Sequence, residues 1–246
     1  MTKLQNKVAV ITGASQGIGL AIYKEFVHQG IEHLFVTGRQ QTFLDEIQTN
    51  ITKVKCDISK LTDLDNLVNR IVEKKCQLDI IVANAGISLL VPLQSITEQQ
   101  YQQTFDVNVK GTLFTIQKLL PLLNDGGSII IIGSVSSQKA HPNASLYSAS
   151  KAAIRAFARC LTIQLKQRHI RVNVLSPGSI QTSMFTSIVQ HQLSKDTFLE
   201  DILSTIPLNR LGTPEEVAKV AVFLASDESC FINGIELFVD GGRGQI

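Results

Sequence analysis

The stretch Lys7-Val-Ala-Val-Ile-Thr-Gly-Ala-Ser-Gln-Gly-Ile-Gly19 indicates an apolar strand that runs through a glycine-rich turn into a helix. Apolar side chains continue the helix at helical spacing, at Leu20, Ala21, Ile22, Phe26 and Val27. Glycines allow close backbone approach, and the free N–H groups at a helix start attract a pyrophosphate. The glycine spacing is G-x3-G-x-G, not the G-x-G-x-x-G of the standard dinucleotide fingerprint. Taken alone, the stretch predicts either a dinucleotide site or a turn that only joins two elements.

Short apolar strands alternate with helical segments along the rest of the chain. The predicted strands are residues 8–12, 34–37, 54–57, 80–84, 129–133, 172–176 and 236–239. Because these strands show little alternation of polar and apolar residues, we expect both faces to be covered, as in a doubly wound, mostly parallel, seven-stranded α/β sheet. Ligands bind such sheets beyond the carboxyl ends of the strands. Polar residues stand at those ends: Thr12, Thr37, Asp57, Asn84, Ser134 and Ser176.

The composition favours one domain over residues 1–246. A chain of 246 residues with 44% hydrophobic and 18% charged residues can bury a full core. The net charge is only +2 and the cations are scattered, so neither a nucleic-acid nor a membrane surface is expected. No apolar run reaches the ~18 residues of a membrane span, and the N-terminus leads directly into the first strand. We therefore expect a cytoplasmic, uncleaved protein.

Cysteine and histidine usage gives no sign of a disulfide or a metal site. The four cysteines lie in or beside apolar runs, so buried reduced thiols are expected at Cys56, Cys76, Cys160 and Cys230. The five histidines show no ligand spacing, and no metal is predicted. His141 lies in the loop before Tyr147, either at the edge of a substrate pocket or on the surface.

Tyr147 and Lys151 form a candidate proton-transfer pair. Apolar spacing predicts a helix over residues 144–165, and positions i and i+4 share a helix face. A phenol titrates near ~10, so it needs a neighbouring cation to exchange protons at neutral pH. Ser134 ends an apolar strand and offers a hydroxyl to a substrate oxygen. By itself, Tyr-x3-Lys is usually an exposed pair on a helix.

The motifs together resemble the short-chain dehydrogenases/reductases over essentially the whole chain. They are Thr12-Gly13-x3-Gly17-x-Gly19, Asn84-Ala-Gly86, Asn108, Ser134, Tyr147-x3-Lys151 and Pro177-Gly178, in the family's order and spacing. One departure is Ala83, where the family commonly has asparagine. The resemblance implies a single Rossmann-type domain, with the cofactor half over about residues 1–130. It also implies cofactor contacts at Gly13, Ser15, Gln16, Gly17, Ile18, Gly19, Arg39, Asp57, Ile58, Asn84, Ala85, Gly86, Tyr147, Lys151, Pro177, Gly178, Ile180 and Thr182.

The same resemblance implies four catalytic residues. Tyr147 would exchange a proton with the substrate oxygen, which Ser134 would hold and polarise. Lys151 would lower the pKa of Tyr147 and hydrogen-bond the nicotinamide ribose. Asn108 would carry a water that links Lys151 to solvent, although a buried structural amide is the alternative.

The end of the second strand favours NADP over NAD. An acidic residue there would hydrogen-bond the adenosine ribose of NAD, but the position is Gly38. Arg39 offers a planar cation suited to a 2′-phosphate, unless it is only an exposed loop arginine. Asp57 and Ile58 resemble the family's adenine contacts, and the alternative for Asp57 is a helix N-terminal acid.

The expected reaction is hydride transfer between NADP(H) and a ketone or secondary alcohol. Residues 183–207 resemble the family's substrate lid, although an ordinary packed helix pair would carry the same apolar residues. With Leu89-Leu90-Val91 they predict an apolar pocket. The alternative function is a 3-oxoacyl-[acyl-carrier-protein] reductase, favoured by Arg168 but opposed by Asp125. A non-catalytic dinucleotide sensor is a remote alternative, because such proteins typically lack the tyrosine or the lysine.

The resemblance also implies a homotetramer. Related enzymes form a dimer through two long helices, here about residues 104–122 and 146–167. The tail Gly234-Ile-Glu-Leu-Phe-Val-Asp-Gly-Gly242 resembles the strand and turn that complete the tetramer.

Overall fold

A computed structural model describes residues 2–39, 50–74, 76–190 and 194–245. Its centre is a seven-stranded parallel sheet in the order β3-β2-β1-β4-β5-β6-β7. The strands are β1 (Val8–Ile11), β2 (His33–Gly38), β3 (Ile51–Lys55), β4 (Leu78–Ala83), β5 (Leu123–Ile132), β6 (Arg171–Pro177) and β7 (Glu236–Val239). All seven predicted strands are confirmed; β5 begins six residues earlier than predicted, at Leu123 rather than residue 129, and the other strand ends agree within three residues.

Helices connect these strands. They are α1 (Gly17–His28), α2 (Leu61–Glu73), α3 (Glu98–Phe105), α4 (Thr112–Leu119), α5 (Ser145–Gln164), α6 (Ser183–Gln190), α7 (Lys195–Ser204) and α8 (Pro214–Ala225). A π-helical turn, Asp106–Gly111, joins α3 to α4. Among the helices in the described part of the chain, none is long and apolar enough to cross a membrane.

Both faces of the sheet are buried because neighbouring strand residues point into two different cores. Ile11, Val36 and Val82 pack with α1 and α8, whereas Val10 and Ile81 pack with α2, α4 and α5. Full burial of one large apolar side chain contributes roughly 1.5–3 kcal/mol, so the continuous apolar strands stabilise the three-layer arrangement. This explains why the strands lack polar alternation.

The sheet order reverses between β1 and β4. The chain moves outward in one direction through β2 and β3, and in the other through β5, β6 and β7. The loops that follow β1 and β4 therefore diverge and leave a crevice at the carboxyl end of the sheet. The polar residues that follow the predicted strands were expected at this same edge of the sheet.

Two expectations about burial are wrong. Cys160 and Cys230 are exposed, while Cys56 is buried and Cys76 is partly buried; all four are free thiols. An apolar neighbourhood in sequence did not imply burial because Cys160 points away from the core on α5 and Cys230 lies in a surface turn. The helix α2 buries Leu64, Leu67 and Ile71, and the apolar residues at its two ends, Leu61 and Val72, are exposed.

Candidate active site

A cavity of about 290 Å³ lies beyond the carboxyl ends of the strands. Segments that follow most of the strands contribute to its wall, together with side chains of α5, α6 and α7. Every residue predicted to contact the cofactor lines it, and so do Ser134, Tyr147 and Lys151. Asn108 does not line it. Residues far apart in the chain therefore share one site, as expected for the switch point of a doubly wound sheet.

The glycine-rich turn is held tightly against the end of β4. Asn84 Nδ2 donates to the carbonyl oxygens of Thr12 at 2.9 Å and Gly13 at 3.0 Å. Gly13 has φ +67°, and a Cβ on Gly19 would lie 2.3 Å from the Gly13 oxygen. The turn thus requires glycine at both positions.

The start of α1 offers backbone N–H groups to an anion. Its N-cap, Gln16, makes no side-chain hydrogen bond to the first turn of the helix. Ser15, Gln16 and Gly17 line the cavity beside this helix start. The unpaired N–H groups and the positive end of the helix dipole suit the pyrophosphate of a dinucleotide.

The three reactive side chains meet at the centre of the cavity. A hydrogen bond links the hydroxyl groups of Tyr147 and Ser134. The Ser134 hydroxyl oxygen in turn accepts a bond from the Ser136 N–H at 3.1 Å, which fixes its position. Lys151 lies one turn after Tyr147 on α5, with Nζ 5.7 Å from the centre of the phenol ring. Its ammonium donates to the Ile132 carbonyl at 2.8 Å.

Burial dominates the protonation of this pair. It lowers the pKa of Lys151 from 10.5 to about 8. It also raises the pKa of Tyr147, and the hydrogen bond with Ser134 acts in the opposite direction. The pKa of Tyr147 is raised overall, so the prediction that Lys151 lowers it is wrong for this structure. The physical reason is that both groups are desolvated, and the ammonium is tied to a backbone carbonyl rather than to the phenol.

Asn108 supports the site from behind its wall. The buried amide accepts from the Ile87 N–H at 2.9 Å and donates to the Ile87 carbonyl at 2.9 Å and to Ser150 Oγ at 3.0 Å. It therefore fixes the segment after β4 and the residue before Lys151. Its proposed role in carrying a water stays a prediction.

Asn108 lies in the π-helical turn, which the sequence analysis did not predict. The nearest sequence signal is Gly111 inside a helical run, where a Cβ would lie 2.8 Å from the Ile58 side chain.

Arg39 and Asp57, two of the residues predicted to contact the adenosine part of the cofactor, differ in their own contacts. Gly38 ends β2, and Arg39 is exposed at the cavity wall. Asp57 lines the cavity but also accepts from the Ser59 N–H at 3.1 Å and the Ser59 hydroxyl at 2.7 Å. Asp57 therefore stabilises the turn before α2, which is the structural role named above as the alternative. It also lines the cavity, so a contact with the cofactor stays possible in the same geometry.

The opposite end of the cavity is mostly apolar. It is lined by Leu90, Met184, Phe185, Ile188, Phe198 and Ile202. The structure places His141 in this wall, with its ring 6.5 Å from that of Phe198 in an edge-on arrangement. Helices α6 and α7, within the segment predicted as a lid, supply most of these side chains.

Ser179 and Arg243 are cavity residues that the sequence analysis missed. Arg243 follows β7 and donates from Nη1 to Ser179 Oγ at 2.8 Å. No local signal identifies either residue, since a turn near the end of the chain reaches the site only through folding.

Similarity to known proteins agrees with this geometry. A family model described as "Enoyl-(Acyl carrier protein) reductase" matches residues 13–243. The oxidoreductase asL5 of Sarocladium schorii is 43% identical over 250 residues, covering 99% of this chain and 98% of that protein. The tetrahydroxynaphthalene reductase PfmaG of Pestalotiopsis fici is 32% identical, covering 96% of this chain and 91% of that protein. A crystal structure of a short chain dehydrogenase family protein from Francisella tularensis superposes with TM-score 0.89 at 29% identity, covering 98% and 99% of the two chains.

The chain belongs to the short-chain dehydrogenase/reductase family. It is therefore an oxidoreductase that acts between alcohol and carbonyl groups with a nicotinamide dinucleotide. The glycine turn, the free start of α1 and the polar strand ends fit such a cofactor. Among the described residues, no group of three or more His, Cys, Asp or Glu side chains could hold a metal ion.

Proposed function

We propose that the protein is an NADP(H)-dependent carbonyl reductase or alcohol dehydrogenase whose substrate carries its ketone or secondary alcohol on an apolar ring system. The observation that carries the proposal is the meeting of Ser134, Tyr147 and Lys151 in one cavity with the glycine-rich turn. These residues can position a carbonyl beside a dinucleotide and give it a proton.

The chain's residues orient the substrate and move one proton. When bound, the nicotinamide supplies or accepts the hydride at the substrate carbon. In reduction, Ser134 donates a hydrogen bond to the carbonyl oxygen, and Tyr147 transfers its proton to that oxygen as the alcohol forms. The raised pKa of Tyr147 keeps the phenol protonated at neutral pH, which is the form that reduction requires. Lys151, with a pKa of about 8, is still mostly a cation there and stabilises the phenolate that remains.

The preference for NADP rests on the end of β2. Gly38 provides no carboxylate that would repel a 2′-phosphate, and the adjacent Arg39 is exposed at the cavity wall. A guanidinium forms directed, charge-assisted hydrogen bonds with phosphate oxygens.

The class of substrate rests on the walls of α6 and α7. Phe185, Phe198 and Ile188 offer an apolar and aromatic surface, which suits a flat ring more than a free sugar. One relative is named as a tetrahydroxynaphthalene reductase, a name that describes a fused-ring substrate.

Reduction of an acyl carrier thioester is less well supported. Arg168, the candidate carrier contact, pairs with Asp125 at 2.7 Å and donates to the carbonyls of Leu120 and Leu123. An arginine used in this way has little capacity left for an acidic partner. The presence of all four catalytic positions argues against a non-catalytic sensor.

A homotetramer forms part of the proposal. Ile163 on α5 and Phe231 and Ile235 near β7 are exposed apolar side chains, on the elements that the family uses for assembly. Light scattering should give the mass of four chains, and a monomeric mass would exclude this part of the proposal.

The test is a steady-state screen with NADPH and NADH in parallel. The panel contains tetralones, steroid-like ketones, aldehydes and acetoacetyl thioesters, with Tyr147→Phe as the inactive control. We expect turnover of ring ketones with NADPH, and at least about tenfold lower kcat/KM with NADH. Activity confined to thioesters would favour the acyl-carrier alternative, and equal use of both cofactors would refute the NADP preference.

A further inference from the structure

Arg243 brings a positive charge to the wall of the active-site cavity. It lies in the turn after β7 and lines the cavity together with Ser179 and Val135. The next residue, Gly244, packs against Val135, since a Cβ there would lie 2.8 Å from Val135 Cγ2. Val135 follows Ser134 directly, so the turn that carries Arg243 is close to the reacting centre.

The guanidinium of Arg243 is incompletely paired. Nη1 donates to Ser179 Oγ at 2.8 Å, whereas Nε is buried and has no hydrogen-bond partner. The nearby Asp240 carboxylate accepts from the N–H groups of Gly242 at 2.9 Å and Gly244 at 2.7 Å. Within the described residues, no carboxylate lies within ion-pair distance of Arg243. Burial lowers the pKa of Arg243, and the negative charge of the nearby Asp240 opposes this only in part.

Several other arginines have a carboxylate partner, whereas the buried Arg171 donates instead to the backbone carbonyls of Leu224 and Ser226. Arg168 pairs with Asp125, Arg155 with Glu236, and Arg210 with Glu216. A partly buried charge without such a partner is costly, because desolvation is not offset by an ion pair. A ligand that enters the cavity with an anionic oxygen would supply this ion-pair partner to the part of the guanidinium that lines the cavity.

We infer that Arg243 binds an anionic oxygen of the substrate, either a carboxylate or an ionised phenol. Building on the proposed function, this assigns the enzyme to ring ketones, or their alcohols, that carry an acidic group. The apolar walls hold the ring, Ser134 and Tyr147 hold the reacting oxygen, and Arg243 selects the acidic substituent. Charge-assisted hydrogen bonds of this kind change affinity by about tenfold to a hundredfold.

The test measures binding to the enzyme saturated with NADP⁺. The ligands are 2-naphthoate and its neutral amide, and an ionised nitronaphthol and its methyl ether. Titration calorimetry compares the wild type with Arg243→Gln and with Arg70→Gln. Arg70 is an exposed arginine on α2 that pairs with Glu73, so it controls for loss of one positive charge.

We expect the wild type and Arg70→Gln to prefer the anion over its neutral partner by at least about tenfold, and Arg243→Gln to lose that preference. The first ligand pair reports on carboxylates and the second on phenolates, so whichever pair shows the preference identifies the group. A wild type that binds anion and neutral ligand equally would overturn the inference, and this comparison needs no variant to fold. An unchanged preference in Arg243→Gln would overturn it as well. So would a matching loss of NADPH affinity in that variant, because Arg243 would then be a cofactor contact.

These binding experiments require no turnover. Failure of every ketone in the kinetic screen would therefore refute the proposed function, while loss of the anion preference would refute only the role of Arg243.

Discussion

Replacing Lys151 with methionine should separate what this buried ammonium costs the fold from what it contributes to the reaction. Lys151 is 5% exposed, and its ammonium donates a hydrogen bond to the Ile132 carbonyl at 2.8 Å. Its pKa falls from 10.5 to about 8 because burial disfavours the charged form. Methionine keeps an unbranched apolar chain of similar length and removes the charge.

The magnitude follows from linkage. The unfolded chain keeps the higher pKa of 10.5, so between pH 8 and 10.5 it binds more protons than the folded chain. The wild type therefore gains stability as pH rises through that window, and carries the full penalty below it. At about 1.4 kcal/mol per pKa unit, the penalty at pH 7 is roughly 3 kcal/mol. Loss of the bond to Ile132 offsets about 1 kcal/mol, so Lys151→Met should be roughly 2 kcal/mol more stable at pH 7.

Urea unfolding at one fixed protein concentration measures this difference at pH 7, 8.5 and 10. The advantage of Lys151→Met should shrink as pH rises, and Lys219→Met, at an exposed position on α8, should show no such trend. The same variant should lose at least about a hundredfold in kcat/KM, as expected when a group that assists proton transfer is removed. A stability difference that does not change with pH would refute the reasoning that burial sets the charge state of Lys151.

Three further substitutions test the site. Tyr147→Phe should reduce turnover by about a thousandfold or more while NADPH still binds in fluorescence titration; substantial residual turnover would contradict its role as the proton donor. Arg39→Ala should lower the affinity for NADPH by at least about tenfold and the affinity for NADH much less. Equal losses of affinity would contradict a contact with the 2′-phosphate. Gly19→Ala places a Cβ 2.3 Å from the Gly13 oxygen, so NADPH affinity should fall sharply. Gly126→Ala is the control for general destabilisation, because its φ of +78° strains an alanine although a Cβ there meets nothing within 4 Å; wild-type affinity in Gly19→Ala would show that the turn tolerates a side chain.

Local patterns carried most of the information about fold and chemistry. The continuous apolar strands indicated a sheet that is covered on both faces, because a buried strand has no reason to alternate. The i, i+4 spacing placed Tyr147 and Lys151 on one helix face, and the strand ends placed Ser134 and Asn84 at one edge of the sheet. These inferences depend only on the fixed geometry of helices and strands, which is why the sequence by itself determined them.

Only the tertiary structure decided how strongly each group is desolvated and what it meets across the sheet. It tied Lys151 to Ile132, raised the pKa of Tyr147 rather than lowering it, and exposed Cys160 and Cys230. It also brought Arg243 from the turn after β7 to the cavity. Burial and electrostatics depend on distances between segments that are remote in the chain, and neither spacing nor periodicity encodes those distances.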